Sequence, residues 1–368
     1  MPLDSIAGSF DTEIRAQPGE EPLWAVVLAG GDGSRLSGLT RGPDGVVVPK
    51  QFCSLDGGPS LLQSAIDRAV AVAGAARTSV VVTEPHRRWW ASDARMLPTE
   101  GVCVQPQNRG TAVGILLALL RLMERGSNAR VVLLPADHFV EDERLLRRAV
   151  IEADLASRLY PDDLILLGMA PEWPDPELGY ILPAAGRHAL LPAVERFVEK
   201  PAQSEAERLV ALGALWNAFI VVAPARVLLE SFMRRMPQVV EAMRLALMHA
   251  DGNELGEDAL AFLYRALPSL DFSRDLLEHE SRRLRVAKVP HCGWTDLGTP
   301  ARLAETLRRS QFEHALQPPA ASRRPGSGLF GGRPVLARQV LLTDAGALPR
   351  RLTDGSSAGR VARARRVH

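Results

Sequence analysis

Only three of the 44 lysine and arginine residues in this chain are lysines: Lys50, Lys200 and Lys288. Where Arg is the default cation, a retained Lys points to a compact, strongly hydrated charge that a planar guanidinium cannot replace. Phosphate oxygens in a tight pocket are the commonest reason for that need. Lys50 lies in Val48-Pro49-Lys50-Gln51-Phe52 and Lys200 in Phe197-Val198-Glu199-Lys200-Pro201, whereas Lys288 sits in a plain strand-like run and carries no such expectation. Ahead of Lys50 comes Leu28-Ala29-Gly30-Gly31-Asp32-Gly33-Ser34-Arg35-Leu36. Gly30, Gly31 and Gly33 let the backbone turn sharply and set N–H groups against an anion, and Arg35 adds a fixed cation. The spacing is neither the Gly-Lys-Ser/Thr phosphate loop nor the dinucleotide G-x-G-x-x-G. With Lys50 one loop later, the stretch reads as a phosphate site.

Two carboxylates fit the same chemistry. Asp137, in Pro135-Ala136-Asp137-His138, and Asp296, in Trp294-Thr295-Asp296-Leu297-Gly298, each follow a strand-like run. Open α/β sheets gather their ligands at that end of the strands. Magnesium takes oxygen donors and can bridge phosphates, so this pair could hold it. An Asp after a strand is also a common helix cap, and a helix is expected after Asp137, so both roles stand there. His138 reads as a structural neighbour, since magnesium prefers oxygen. In a strand over 194–200, Glu199 and Lys200 would face opposite sides, unless Pro201 bends the chain and re-aims Lys200. Trp216 and Trp294 read as packing residues.

The elements that must position these groups alternate. Short apolar runs at 24–29, 80–82, 131–134, 164–167, 180–182, 194–198 and 284–289 read as strands, separated by amphipathic stretches. Ser60 opens a helix, Thr111 caps another over 111–123, and helices dominate from 224 to 277. The pattern predicts an α/β fold with a mostly parallel sheet flanked by helices. Residues 1–22 read as a polar leader, 23–315 as one catalytic domain and 316–368 as a basic, disordered or loosely attached tail with ten Arg against Asp344 and Asp354. A net charge of +1 gives no reason to expect nucleic acid as a partner. Three widely spaced cysteines suggest neither disulfides nor zinc. The leader lacks an apolar signal region, and no apolar run reaches the ~18 residues of a membrane span. The expected location is cytoplasmic.

The glycine-rich turn followed by Pro49-Lys50-Gln51-Phe52 resembles the nucleotide-binding opening of sugar-1-phosphate nucleotidyltransferases, and the Pro-Lys-Gln-Phe form is most similar to mannose-1-phosphate guanylyltransferases. The likeness continues in order through Gln107-Asn108-Arg109-Gly110-Thr111-Ala112, Pro135-Ala136-Asp137-His138, Phe197-Val198-Glu199-Lys200-Pro201, Trp216-Asn217 and Trp294-Thr295-Asp296-Leu297-Gly298. It implies a Rossmann-like nucleotidyltransferase fold and the transfer of a nucleoside monophosphate to a sugar-1-phosphate. The implied substrates are GTP and mannose-1-phosphate, the products GDP-mannose and pyrophosphate, and the cofactor Mg2+.

By the same resemblance, Arg35, Lys50 and Lys200 are catalytic, and Leu28, Ala29, Gly30, Gly31, Gly33, Ser34, Arg109, Gly110 and Thr111 bind the nucleotide. Gly179, Tyr180, Glu199, Lys200 and Asn217 bind the sugar phosphate, and Asp137 and Asp296 hold the metal. A homodimer is compatible with it. The chain departs from the family pattern in having Ser37-Gly38-Leu39 after the loop and Ala218-Phe219 after Trp216-Asn217, where a small polar residue and Gly are usual. Another hexose-1-phosphate with UTP, dTTP or ATP stays open, as does a non-catalytic nucleotide-sugar sensor of the same fold.

Overall fold

Valine, leucine and isoleucine runs buried on both faces form the strands, as a sheet covered by helices on both sides demands. The computed structural model describes residues 21–41, 45–126, 128–185, 190–250, 254–309 and 333–336. Its strands are β1 (Leu23–Leu28), β2 (Thr78–Thr83), β3 (Val102–Gln105), β4 (Arg130–Pro135) and β5 (Leu164–Met169), then β6 (Gly179–Pro183), β7 (Val194–Glu199), β8 (Leu215–Pro224) and β9 (Leu284–Lys288). The helices of the first half are α1 (Leu61–Ala73), α2 (Arg87–Trp90), α3 (Thr111–Arg125) and α4 (Glu143–Ser157). Those of the second are α5 (Gln203–Ala211), α6 (Ala225–Arg235), α7 (Pro237–Ala250), α8 (Glu254–Ala266), α9 (Phe272–Asp275) and α10 (Pro300–Arg309).

The sheet runs β3-β2-β1-β4-β8-β5-β9, with β6 also beside β8 and β7 beside β6. From β3 to β4 every ladder is parallel, as expected. Beyond β4 the sheet is mixed, because β8 runs antiparallel to β4, β5 and β6. Helices α1 and α4 bury Leu62, Ile66, Leu146 and Val150 against one face. On the other, α3 and α6 bury Ile115, Leu116, Leu228 and Phe232. Among the described residues no helix is long and apolar enough to cross a membrane, and all three cysteines are buried free thiols.

Helix starts were legible in part. Ser60 caps α1, its hydroxyl accepting from the Gln63 N–H at 3.0 Å. Thr111 does not cap α3: Gly110 is the cap residue, and the Thr111 hydroxyl accepts the N–H of Phe272 at 2.9 Å. Nor is Asp137 a cap, because α4 begins later, with Asp142 accepting from the N–H groups of Arg144 and Leu145. Asp137 is thereby left free for the site.

Strand β8 carries an irregularity. Leu166 faces Val221 and Gly168 faces Asn217, so four steps along β8 match two along β5. The extra residues form a bulge over 218–220. Its centre, Phe219, has φ 56°, in the left-handed region.

The leader and most of the expected tail lie outside the described residues, but residues 333–336 are docked rather than loose. Ser54 donates its N–H to Pro334 O at 3.1 Å and accepts from Leu336 N–H at 2.9 Å. Arg333 reaches Asp93 at 2.7 Å and Ser92 at 2.8 Å, and Leu336 is fully buried in the core. A chain ended near residue 317 should therefore be less stable than the full chain. Leu336→Ala alone should cost about 2–4 kcal/mol in urea unfolding, the range for a buried Leu truncated to Ala. A change under ~0.5 kcal/mol would show that the segment is not held in solution.

Candidate active site

A cleft of about 340 Å³ opens at the carboxyl ends of the parallel strands. Backbone bonds extend the ladders to its edge, Ala29 N–H to Val81 O and Ala136 N–H to Leu28 O. The glycine-rich turn leaves β1 here. Gly33 has φ 61°, and a Cβ on it would lie 2.6 Å from the backbone N of Lys50, so only glycine lets the two loops meet this closely. Gln51 pins the turn, its amide donating to Ala29 O at 3.1 Å and Gly31 O at 2.6 Å.

Lys50 stands where three motifs converge. Its ammonium is 2.9 Å from Asp137 Oδ2 and donates to the carbonyls of Asp296 at 2.5 Å and Leu297 at 3.3 Å. The Lys50 side chain is 5% exposed and that of Asp137 38%. Removal from bulk water acts to raise the Asp137 pKa, but the charge and hydrogen bond of Lys50, aided by the Arg35 charge, act against it, and the carboxyl lies below its ordinary value. His138 is different. Burial drives its pKa down to about 4 against the pull of Asp137 and Asp296, so the ring is neutral at pH 7. Its Nδ1 accepts the indole N–H of Trp294 at 3.2 Å, with the rings edge to face, which is the structural part expected of both residues.

Asp296 is buried, and its Oδ1 takes both the Gly298 N–H at 3.0 Å and the guanidinium of Arg302 on α10. Arg302 also lies 3.6 Å from Asp175, and its Nε and Nη2 have no hydrogen-bond partner among the described residues. Among the described residues no group of three His, Cys, Asp or Glu gathers around one point. Two carboxylates lining one cleft nevertheless suit a hard divalent cation, which commonly takes one or two protein carboxylates and fills its sphere with substrate phosphate and water. Asp137 and Asp296 are the residues that could hold it.

The opposite wall comes from β6, β7 and β8. Gly179 leaves room for a carboxylate, since a Cβ on it would lie 2.6 Å from Glu199 Oε2 and 3.3 Å from Asn217 Cβ. Lys200 follows the last residue of β7 with φ 49°, so the chain turns out of the strand and both Glu199 and Lys200 reach the cleft. The turn lies at Lys200 itself, in the left-handed region rather than the extended conformation that a following proline favours.

Burial, reinforced by Asp271, pushes the Glu199 pKa up to about 7 against the opposing Lys200 charge. The folded value lies above the ordinary 4.5, so below about pH 4.5 this proton favours the native state in full. That contribution is lost as pH rises through about 7. In urea unfolding from pH 4.5 to 8, Glu199→Gln should remove a falling slope worth on the order of 3 kcal/mol. Parallel pH curves for variant and wild type would refute the buried, proton-holding carboxyl.

Of the residues expected at the site, Leu28, Ala29, Gly30, Gly31, Gly33, Arg35, Gly110, Thr111, Asp137, Gly179, Glu199, Lys200, Asn217 and Asp296 line the cleft, and Lys50 lies just beneath it. The Ser34 side chain is outside the described residues. One expectation needs correction. Arg109 is spent on structure, donating to Tyr264 O at 2.5 Å and Arg265 O at 3.2 Å, where it ties the end of α8 to the loop before α3. Tyr180 was expected as part of a backbone wall beside Gly179; its side chain is fully buried, with the hydroxyl bonded to Asp175 and Trp216, and Gly179 lines the cleft. Gln51, Phe219, Asp271 and Arg302 were not expected. Asp271 sits at the α9 N-cap, where its carboxylate reads as a cap in sequence. Arg302 is one more arginine in an arginine-rich helix.

Known proteins resemble this chain in sequence and fold. An AlgA alginate biosynthesis protein of Pseudomonas syringae is 32% identical over 283 residues, 74% of this chain and 56% of its own length. The mannose-1-phosphate guanylyltransferase of Escherichia coli K12 is 32% identical over 298 residues, 78% of this chain and 60% of its own. The chain thus spans little more than half the length of the curated relatives it matches. A solved structure from Thermus thermophilus, described as a mannose-1-phosphate geranyltransferase, superposes with a TM-score of 0.66 at 28% identity, covering 77% of this chain and 79% of that one. The family model for nucleotidyl transferases matches residues 24–311, which include the whole cleft, and the chain belongs to that family.

Proposed function

We propose that the cleft transfers guanylate from GTP to mannose-1-phosphate, giving GDP-mannose and pyrophosphate. The observation that carries this reading is Lys50, which joins the glycine-rich turn, Asp137 and Asp296 at one point facing Glu199, Lys200 and Asn217. The names of the relatives at about 32% identity support the choice of base and sugar.

The reaction forms a bond from a sugar-phosphate oxygen to the α-phosphorus and breaks the bond from that phosphorus to pyrophosphate. The nucleophile is already anionic, so no general base is required. What the protein must do is bring two polyanions into line and offset their repulsion. The glycine-rich turn and Arg35 receive the triphosphate, and Lys50 supplies a buried positive charge beside it. Lys200 meets the sugar phosphate, while Glu199 and Asn217 hold sugar hydroxyls. A divalent cation on Asp137 and Asp296, magnesium in this reading, would supply charge neutralisation at the α-phosphate. The substrates are small, charged molecules, and the reading places the protein in the cytoplasm without membrane or nucleic-acid partners.

Pyrophosphate release should be measured with each nucleoside triphosphate against a panel of sugar-1-phosphates. GTP with mannose-1-phosphate is expected to give the highest kcat/KM. A clear preference for UTP or dTTP with glucose-1-phosphate would replace these substrates, and no release with any pair would favour a sensor.

A further inference from the structure

Strand β8 spends extra residues on a bulge that places one aromatic side chain at the cleft. Bulges next to sites re-aim a side chain that regular pairing would point elsewhere. At the centre of this one, Phe219 holds φ 56°, a conformation that costs a residue with a Cβ about 1–2 kcal/mol. Two contacts fix it there. Its N–H donates to Asn217 Oδ1 at 3.0 Å, and its ring meets that of Phe272 edge to face with centroids 5.9 Å apart. The residue is neither buried nor fully exposed, and it lines the cleft together with Asn217, Glu199 and Asp271. A strained backbone that persists at a cleft is a pointer to function, because packing alone can be had without the strain.

Resting on the function proposed above, we propose that Phe219 is a specificity-determining residue that restricts which sugar phosphate the cleft accepts. Asn217, Glu199 and Asp271 offer polar groups for hydroxyls, and an aryl ring among them offers something they cannot. It lies against the C–H face of a pyranose and denies space to a substituent larger than a hydroxyl. The site therefore admits plain hexose phosphates and rejects N-acetylhexosamine phosphates. Discrimination by apolar shape alone is worth roughly 10–200-fold.

The test uses the full chain with Phe219→Gly, Phe219→Ala and Phe219→Leu. The quantity read is the ratio of kcat/KM for N-acetylglucosamine-1-phosphate to that for mannose-1-phosphate at saturating GTP, with thermal unfolding of each variant alongside. Glycine and alanine are expected to raise this ratio at least tenfold while the KM for GTP stays within about threefold. Leucine, which keeps part of the bulk, should fall between wild type and alanine and keeps the test open if glycine does not fold. A ratio within twofold of wild type in all folded variants would mean that the ring only packs, and the inference would be wrong. If the wild type prefers another nucleotide or hexose phosphate, the assigned substrates fall, and the same ratio taken against its preferred hexose still tests Phe219. A chain inactive with every pair would overturn both.

Discussion

Asp137→Asn is expected to lower turnover by about two to three orders of magnitude while the protein stays folded. The carboxamide oxygen can still accept from Lys50, so the 2.9 Å contact survives in neutral form and only the charge offered to a cation is lost. Removing one preorganised electrostatic partner of a reacting centre commonly costs 10²–10³ in rate. Asp296→Asn should lose as much activity and also stability, because the carboxamide oxygen can still accept from the buried Arg302 but the charge that offsets the guanidinium is gone, with Asp175 at 3.6 Å left to do so. Breaking a buried ion pair from one side costs roughly 3–5 kcal/mol. Steady-state kinetics at saturating magnesium and urea unfolding separate the two effects. If Asp137→Asn turns over within threefold of wild type, Asp137 does not hold a metal and the assignment fails.

The second large effect belongs to Lys50. Its ammonium fills a slot bounded by a carboxylate and two backbone carbonyls. A guanidinium is longer and planar, and cannot meet three acceptors around one nitrogen. Lys50→Arg should therefore lose at least tenfold in kcat/KM for the nucleotide, since ~1.4 kcal/mol of misfit already gives tenfold. Lys50→Met, which keeps length and removes charge, should lose on the order of 10²–10³. Lys200→Arg should chiefly raise the KM for the sugar phosphate. Lys288→Arg, on an exposed residue at the end of β9, should be nearly silent. If the three arginine variants behave alike, lysine scarcity carries no information about the site.

The parts of the fold that could be read in sequence are those whose signal is local. Parallel strands buried on both faces show as apolar runs, and the glycine-rich turn, Pro49-Lys50 and the two aspartates announce a phosphate site by residue type. Strand β8 escaped because its apolar run, Leu215 to Pro224, leads straight into the helical region and carries the bulge in its middle. Strand β3 is only four residues long, with no room for a pattern. Arg109 and Tyr180 were expected at the cleft by motif, but what decides their place is a contact with α8 in one case and with Asp175 and Trp216 in the other. Arg302 pairs with Asp296, six residues before it, but its second partner Asp175 and the partners of residues 333–336 lie far away in sequence, where no local pattern could mark them.

The same distance in sequence has a meaning in time. A polypeptide leaves the ribosome from its amino end at roughly 5–20 residues per second. The Lys50 loop emerges well ahead of the carbonyls of Asp296 and Leu297 that seat its ammonium, and of the Pro334–Leu336 segment paired with Ser54. For tens of seconds the nascent chain carries a phosphate loop without its floor. The whole Lys50 seat thus arrives only with residues 296–336, and a ribosome stalled before Asp296 would hold a product able to form the first parallel strands but not that seat.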